Sequence, residues 1–241
     1  MEENMVNKNE AEEYYNMAIK ELSIKNRSNA FTLFEKAALL DHAKAQCCLG
    51  DFYFAGVVVK QDYAKAVECY EKAIKKGYLN AQISLAKMYQ DGLGVIKDYS
   101  KAVELITNLA SQGHKFAQNQ LGVYYYGGRG VKQDYAKAVE WYEKAAEQGV
   151  AEAQYNLGIC YCKGEGTNQN YERGFAWMSK AASQGDSGAQ NFLKKYSHKY
   201  QEYKDSLERR KAEFERNHSG ELSGYDDIWG YYNINGHFPW E

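Results

Sequence analysis

Proline is almost missing from this chain of 241 residues, which carries a single one at Pro239. Because proline disrupts the interior of helices, so long a stretch without it favours an all-helical protein. Excess charge is missing too, since 30 basic and 32 acidic side chains give a formal net charge of -2. Nucleic-acid-binding proteins usually carry a basic patch or stripe, so nucleic acid is not an expected partner.

Long apolar runs are also missing. No segment approaches the roughly 18 apolar residues of a membrane-spanning helix, so membrane insertion is not expected. The first residues, MEENMVNKNEAEEYY, are acidic where a secretory signal peptide is basic, and no apolar segment follows them. The five cysteines are odd in number and scattered without a framework, which is typical of a reducing compartment. We therefore expect a cytoplasmic protein.

The chain does contain a strict internal repeat. The dipeptide Ala-Gln recurs every 36 residues, and glycine recurs at two further positions with the same period. The dipeptide begins at Ala45, Ala81, Ala117, Ala153 and Ala189. The first glycine series is Gly56, Gly92, Gly128 and Gly164, and the second is Gly77, Gly113, Gly149 and Gly185. Such a period predicts a stack of similar structural units.

Within each unit, apolar residues recur at helical spacing in two segments. In the first segment, Ala45, Leu49 and Tyr53 share one face of a predicted helix. The second segment, for instance residues 135–147, carries an apolar stripe rich in alanine, which allows neighbouring helices to approach closely. Short oxygen-bearing side chains precede the second helices as predicted N-caps, namely Asp62, Asp98, Asp134 and Asn170. Such short helix pairs cannot bury their stripes alone, so successive units must stack.

Two phrases of the repeat, LGVYYYGGRGV at 121–131 and DYAKAVEWYEKAAEQG at 134–149, resemble the Sel-like repeats, a family related to tetratricopeptide repeats. The resemblance covers roughly residues 28–200. It implies an all-α fold, a right-handed α-solenoid superhelix of 36-residue helix-turn-helix repeats. It also implies a non-catalytic scaffold or adaptor whose first helices line a concave face. The unit 79–114 departs from the pattern, with Leu105-Ile106-Thr107-Asn108 in place of Trp-Tyr-Glu-Lys.

The repeat divides the chain into four predicted parts. Residues 1–42 are a degenerate N-terminal capping repeat, and residues 43–186 are four tandem Sel-like repeats. Residues 187–218 are a C-terminal cap continued as a long charged helix, and residues 219–241 are an aromatic-rich tail. The long helix carries an apolar series at spacings of three and four, so we expect it to pack back on the last repeat. A monomer is therefore favoured over a dimer formed through this helix.

We predict that positions varying between units on the first helices bind a protein or peptide partner. Aromatic anchors and hydrogen-bonding side chains suit such a ligand. The alternative is that these residues pack between adjacent units. A specialised form of the function is a neutralising, immunity-type inhibitor that clasps a toxin or enzyme. The nine candidates are Phe54, Lys87, Gln90, Asn119, Tyr124, Tyr126, Tyr155, Asn156 and Ile159.

The tail is unusually aromatic for a segment outside the repeats. Disordered segments are normally poor in aromatic residues, so we predict that the tail docks on its own solenoid or on a partner. One hypothesis places it in the concave groove, where it would compete with the ligand. The predicted docking residues are Tyr225, Trp229, Tyr231, Tyr232, Phe238 and Trp240.

No catalytic constellation emerges from the sequence, and neither a cofactor nor a metal site is expected. Ser84-Leu85-Ala86-Lys87 matches the Ser-x-x-Lys of penicillin-interacting enzymes, although the accompanying Ser-Asp-Asn and Lys-Thr-Gly motifs are missing. This match supports the alternative function, a small-molecule-binding or hydrolytic protein that uses Ser84 and Lys87. His42 and His114 lie two repeats apart and are predicted to be surface loop residues, with no helical histidine pair for zinc.

Overall fold

The computed structural model describes residues 2–217, and within them the chain forms eleven α-helices and no strand. This confirms the prediction of an all-α repeat solenoid. No helix in this range is both long and apolar enough to cross a membrane. The helices are α1 (Glu2–Ser23), α2 (Arg27–Leu39), α3 (Ala43–Ala55), α4 (Tyr63–Lys75), α5 (Ala81–Asp91), α6 (Tyr99–Ser111), α7 (Lys115–Gly127), α8 (Tyr135–Glu147), α9 (Ala151–Lys163), α10 (Tyr171–Ser183) and α11 (Ser187–Asn217).

The helices pack in chain order. Each first helix (α3, α5, α7 and α9) packs against the second helix of its own unit, and each second helix packs against the first helix of the next unit. One core cluster, for example, joins Ala86 of α5, Ile106 of α6 and Leu121 of α7. The hydrophobic core is therefore shared between neighbouring units, as expected when no helix pair can bury its apolar stripe alone.

The predicted N-caps of the second helices are confirmed. Asp134 lies in extended backbone before α8, and its Oδ1 accepts a hydrogen bond from the amide of Lys137 at 3.0 Å. Asp62, Asp98 and Asn170 make the same contact in the other units. These side chains satisfy an amide that the helix itself leaves without a partner.

The second glycine of each Gly-x-Gly turn fixes the contact between units. Gly130 has a φ of +71°, and a Cβ placed on it would lie 2.4 Å from the carbonyl oxygen of Tyr99. The turn of one unit thus lies on the backbone where the second helix of the preceding unit begins. In the first full unit, Val58 occupies this position and still adopts a φ of 74°, which is strained for a β-branched side chain.

Glutamine side chains connect the units at what we call joints, the contacts between a second helix and the next first helix. At the α6–α7 joint, Gln118 donates from Nε2 to the carbonyl of Ala110 at 3.3 Å. Its Oε1 accepts a hydrogen bond from Gln148 Nε2 at 2.7 Å. Gln154 repeats both contacts at the α8–α9 joint, with Ala146 and Gln184.

The α4–α5 joint lacks these bonds. Gln82 stands at the equivalent position, but its buried Oε1 has no hydrogen-bond partner among the described residues. The expected donor, Gln112, donates instead to Asn108 Oδ1 at 2.7 Å. Helix α5 also begins two residues late in its unit, and its N-cap residue, Asn80, makes no side-chain capping bond.

The C-terminal end closes the solenoid by continuing a helix. Tyr200 stands where the other units have a turn glycine, so α11 runs on to Asn217. Its ring stacks on Phe175 of α10 with centroids 4.0 Å apart, and the ring of Tyr203 contacts that of Tyr171 at 5.4 Å. The long helix therefore packs back on the last repeat, as the sequence predicted.

Candidate partner-binding face

Successive units contact each other along the exposed side of the first helices. Lys87 of α5 places its Nζ 5.6 Å from the centre of the Phe54 ring of α3, within cation–π range. Gln90 of α5 accepts hydrogen bonds at Oε1 from Tyr124 Oη at 3.0 Å and from Gln120 Nε2 at 3.4 Å, both on α7. These side chains form a strip that crosses the unit boundaries.

Two of the nine predicted contact residues are buried between units. Tyr124 exposes 1% of its surface and Asn119 exposes 4%. The hydroxyl of Tyr124 is used by Gln90, and Asn119 Oδ1 accepts a hydrogen bond from Asn156 Nδ2 at 3.3 Å. Tyr124 and Asn119 therefore hold adjacent first helices together, and neither is accessible to a partner.

The other seven residues are exposed or half-buried, and we call them the first-helix face. Lys87 is the exposed member of this set. Tyr155 and Ile159 pack one edge against the core around Met178, so their positions are fixed by the last unit. The binding role of the face stays a prediction at this point. Its members are Phe54, Lys87, Gln90, Tyr126, Tyr155, Asn156 and Ile159.

Tyr126 is held by two charged residues that the sequence reasoning did not single out. Its hydroxyl donates to Glu165 Oε2 at 2.5 Å, and Lys163 Nζ lies 3.5 Å from the same hydroxyl. Burial and the Glu165 carboxylate raise the pKa of Tyr126 above its ordinary value of 10, so the phenol stays protonated. The signal in the sequence was Glu165 itself, which stands where the other units have Val57, Leu93 and Arg129.

Ser84 and Lys87 are not arranged as a catalytic pair. Lys87 directs its ammonium over Phe54, while Ser84 lies half-buried beside the hydroxyl of Tyr70. That hydroxyl donates to Asp51 Oδ1 at 2.8 Å. Burial and the Asp51 charge raise the pKa of Tyr70 above 10, so its phenol holds its proton and cannot serve Ser84 as a base at neutral pH. The geometry therefore does not favour the hydrolytic alternative.

The thiols near this face are also protonated. Burial raises the pKa of Cys47 to about 12 and that of Cys48 to about 11. The same cause raises the pKa of both Cys160 and Cys162 to about 12. Since the thiolate is the reactive form, these cysteines behave as small packing residues. Within residues 2–217, no group of three His, Cys, Asp or Glu side chains is placed to hold a metal ion.

The two histidines lie in the turns between units, as predicted, but they are half-buried N-caps rather than exposed surface residues. His114 Nδ1 accepts a hydrogen bond from the Ala117 amide at 3.3 Å, and His42 Nδ1 accepts one from the Ala45 amide at 3.1 Å. His42 also places Nε2 2.9 Å from a carboxylate oxygen of Glu12 on α1, which ties the N-terminal helix to the first full unit. Both side chains are half-buried because they begin first helices inside joints.

The predicted tail-docking residues lie outside the described part of the chain. They are Tyr225, Trp229, Tyr231, Tyr232, Phe238 and Trp240.

Comparisons with solved structures agree with this fold. The chain is similar to c5321, a protective antigen present in uropathogenic Escherichia coli strains displaying an SLR fold, with a TM-score of 0.71 and 32% identity over 77% of this chain. It spans about two fifths of that relative's length, since the match covers 41% of c5321. A Sel1 repeat protein from Oxalobacter formigenes gives a TM-score of 0.67 and 28% identity, covering 76% of this chain and 75% of that one.

A third similar structure is the immunity protein Pa5087 from Pseudomonas aeruginosa, with a TM-score of 0.52 and 25% identity over 76% of this chain and 69% of that one. No curated protein matches the chain. A family model described as Sel1 repeat matches residues 5–21, 23–42, 43–78, 79–114, 115–150 and 151–186. With the helix-turn-helix units and their joints described above, this match shows that the chain belongs to the Sel1 repeat family.

Proposed function

We propose that this protein is a non-catalytic scaffold or adaptor that binds a protein or peptide partner through the first-helix face. The observation that carries the proposal is the strip of side chains linked across unit boundaries, such as Lys87 over Phe54. Packing positions such as Leu85 and Leu121 recur from unit to unit, whereas the residues of the face differ. In a repeat protein, such unit-specific chemistry on a shared scaffold is how a long binding surface is made.

The shape of the face favours a macromolecular ligand over a small molecule. It extends from Phe54 on α3 to Ile159 on α9, across four units. Packed helices lie 8 to 10 Å apart, so the face is on the order of 30 Å long. A small molecule binds in a closed pocket, whereas an extended strip of aromatic and amide side chains matches a peptide or a protein surface.

The experiment is capture of the partner from the native organism, followed by measurement of its affinity for matched variants. Phe54→Ser combined with Lys87→Glu removes one contact across a unit boundary and reverses an exposed charge on the face. We expect the dissociation constant for the captured partner to rise about tenfold or more, since each tenfold step corresponds to about 1.4 kcal/mol.

Lys72→Glu is the matched control. Lys72 is exposed on the second helix α4 and therefore lies off the first-helix face. It introduces the same charge reversal and should leave the affinity unchanged. Equal binding by the wild type, the double variant and the control would contradict the proposed face.

A narrower form of the function is neutralisation of a toxic partner, as an immunity-type inhibitor. Its support is the similarity to the immunity protein Pa5087. The captured partner would then be toxic when produced alone in cells. Co-production of this protein should restore growth, and co-production of the Phe54→Ser/Lys87→Glu variant should not. A captured partner that is harmless by itself would leave the scaffold function in place and remove the neutralising one.

The proposal includes a reducing compartment, the cytoplasm. Its support is the set of five cysteines, all of them free thiols that are buried or half-buried in the solenoid. Proteins of oxidising compartments commonly pair such residues in disulfides.

A further inference from the structure

An apolar stripe follows α11 beyond the helix that covers it. Tyr200 and Tyr203 lie on this stripe and pack against Phe175 and Tyr171 of α10. Tyr171 is the first residue of α10, so α10 covers the stripe only as far as Tyr203. The stripe continues to Leu207 one turn later, and α11 itself extends about 20 Å past Tyr203 at 1.5 Å per residue.

The opposite side of α11 is polar and solvent-exposed. Lys194 and His198 stand at the repeat positions of Gly158 and Cys162, which are buried against the second helix of their own unit. Both are exposed, and the side chain of His198 exposes 86% of its surface. A further repeat stacked there would bury charge, so this side acts as a polar end to the solenoid.

The charge of α11 favours an acidic occupant for the stripe. The helix carries eight Lys or Arg side chains against five Asp or Glu, whereas residues 218–241 carry four acids and no Lys or Arg. That segment also holds the six aromatic residues named above, which suit an apolar stripe made of tyrosine and leucine. It follows directly from the end of α11, and its 24 residues reach up to about 80 Å when extended, more than the length of the helix.

We propose that residues 218–241 fold back along α11 and bind the stripe at Tyr203 and Leu207. The segment completes the C-terminal cap and leaves the first-helix face open to its partner. This places the tail away from the concave groove in which the sequence-based hypothesis put it.

Limited proteolysis of the full-length chain tests the proposal. Chymotrypsin cleaves after aromatic residues, and loss of the tail is followed by intact mass. Cleavage depends on the population in which the segment is released, so a docked tail should be cut slowly. Leu207→Asp places a carboxylate on the stripe beyond α10 and should raise the initial cleavage rate about tenfold, as expected for removal of one buried apolar anchor. Raising the salt concentration from 0.1 to about 1 M should also accelerate cleavage by screening the charges.

Ala212→Asp is the matched control. It adds the same carboxylate to the same part of α11, but Ala212 is exposed and lies about 140° around the helix from Leu207. Its cleavage rate should equal that of the wild type, and amide exchange within α10 should be the same in both variants. Equal rates for wild type, Leu207→Asp and Ala212→Asp would overturn the proposal. Faster cleavage in Lys87→Glu with no change in Leu207→Asp would overturn it in favour of the groove.

Discussion

The first two full units, residues 43–114, and the last two, residues 115–186, share one repeat pattern. They differ in how many of the turn and joint contacts of that pattern they form. The first pair contains Val58 in a backbone conformation suited to glycine and Gln82 with a buried oxygen that has no described partner. The last pair has glycine at both equivalent turns and two complete glutamine contacts. Because each unit contacts its neighbours alone, a defect at one joint costs stability locally and leaves the remaining stack unchanged.

The largest expected effect comes from exchanging the turn residues of the two halves. Gly130→Val should lower the free energy of unfolding by about 3 kcal/mol or more, because the new Cβ meets the Tyr99 carbonyl and requires a strained φ. The reverse change, Val58→Gly, should raise it by about 0.5 to 1 kcal/mol by relieving that strain. Urea denaturation measures both. Similar losses in the two variants would show that the turns of the two halves are equivalent.

The next effect concerns the glutamines of the joints. Gln118→Met should lower the free energy of unfolding by about 2 kcal/mol, since it removes two hydrogen bonds of this joint, one to the Ala110 carbonyl and one from Gln148 Nε2. Gln82→Met removes an oxygen that has no described partner and should be neutral or stabilising by about 1 kcal/mol. Chemical denaturation of Gln118→Met and Gln82→Met under the same conditions measures both changes in the free energy of unfolding. If Gln82→Met costs as much as Gln118→Met, the two joints do not differ as described.

A smaller effect should repair the weak joint. Asn108→Lys removes the acceptor that draws Gln112 away and lets Gln112 donate to Gln82, which should raise the free energy of unfolding by about 1 kcal/mol. The reciprocal change, Lys144→Asn, should draw Gln148 away from Gln118 and lower the free energy of unfolding by a similar amount. In thermal and urea unfolding, Asn108→Lys should be the most stable protein, the wild type intermediate and Lys144→Asn the least stable. Stabilisation by Asn108→Lys in a chain that already carries Gln82→Met would show that another contact is responsible.

The smallest effect is a pH dependence of the His114 cap. Its Nδ1 must be unprotonated to accept from Ala117, and burial lowers the pKa of His114 below 6.5. The unfolded chain therefore takes up the proton first, so the stability from this cap is complete above pH 6.5 and is lost as pH falls through the lower, folded pKa. His114→Asn keeps a capping side chain without titrating. Between pH 7.5 and 5, the wild type should lose more of its free energy of unfolding than His114→Asn, and parallel losses in the two proteins would contradict this role.

The repeat fold was predictable because each structural task needs a distinct residue type. Asp134 before a helix and Gly130 in a left-handed turn are identified by capping and backbone geometry alone. The sequence held a signal for the histidine caps that was not used. Asp186 occupies the same repeat position as His42 and His114, and its Oδ1 accepts a hydrogen bond from the Ala189 amide at the start of α11. Imidazole nitrogen makes the same bond in His42 and His114.

The first-helix face was harder to identify from the sequence, because a position can vary between units for two reasons. Tyr124 corresponds to Phe52 and Met88, which differ in chemistry and are nevertheless all buried. Core positions vary when their neighbours compensate, as where Gly122 makes room for the ring of Tyr142. Comparing the units of one sequence cannot distinguish a core position whose neighbours compensate from a position that contacts a partner. In both cases, the residue type simply differs from unit to unit at that position. Burial in the folded chain separates them.

The contact between Gly130 and the Tyr99 carbonyl has a consequence for how such proteins evolve. It joins backbone to backbone, so the distance from one unit to the next does not depend on any side chain of the first-helix face. Mutations can therefore replace Phe54 or Tyr126 and leave the spacing of the array as it was. A lineage can change the chemistry of this face by single substitutions, or lengthen the face by duplicating whole 36-residue units, while every inherited position keeps its place.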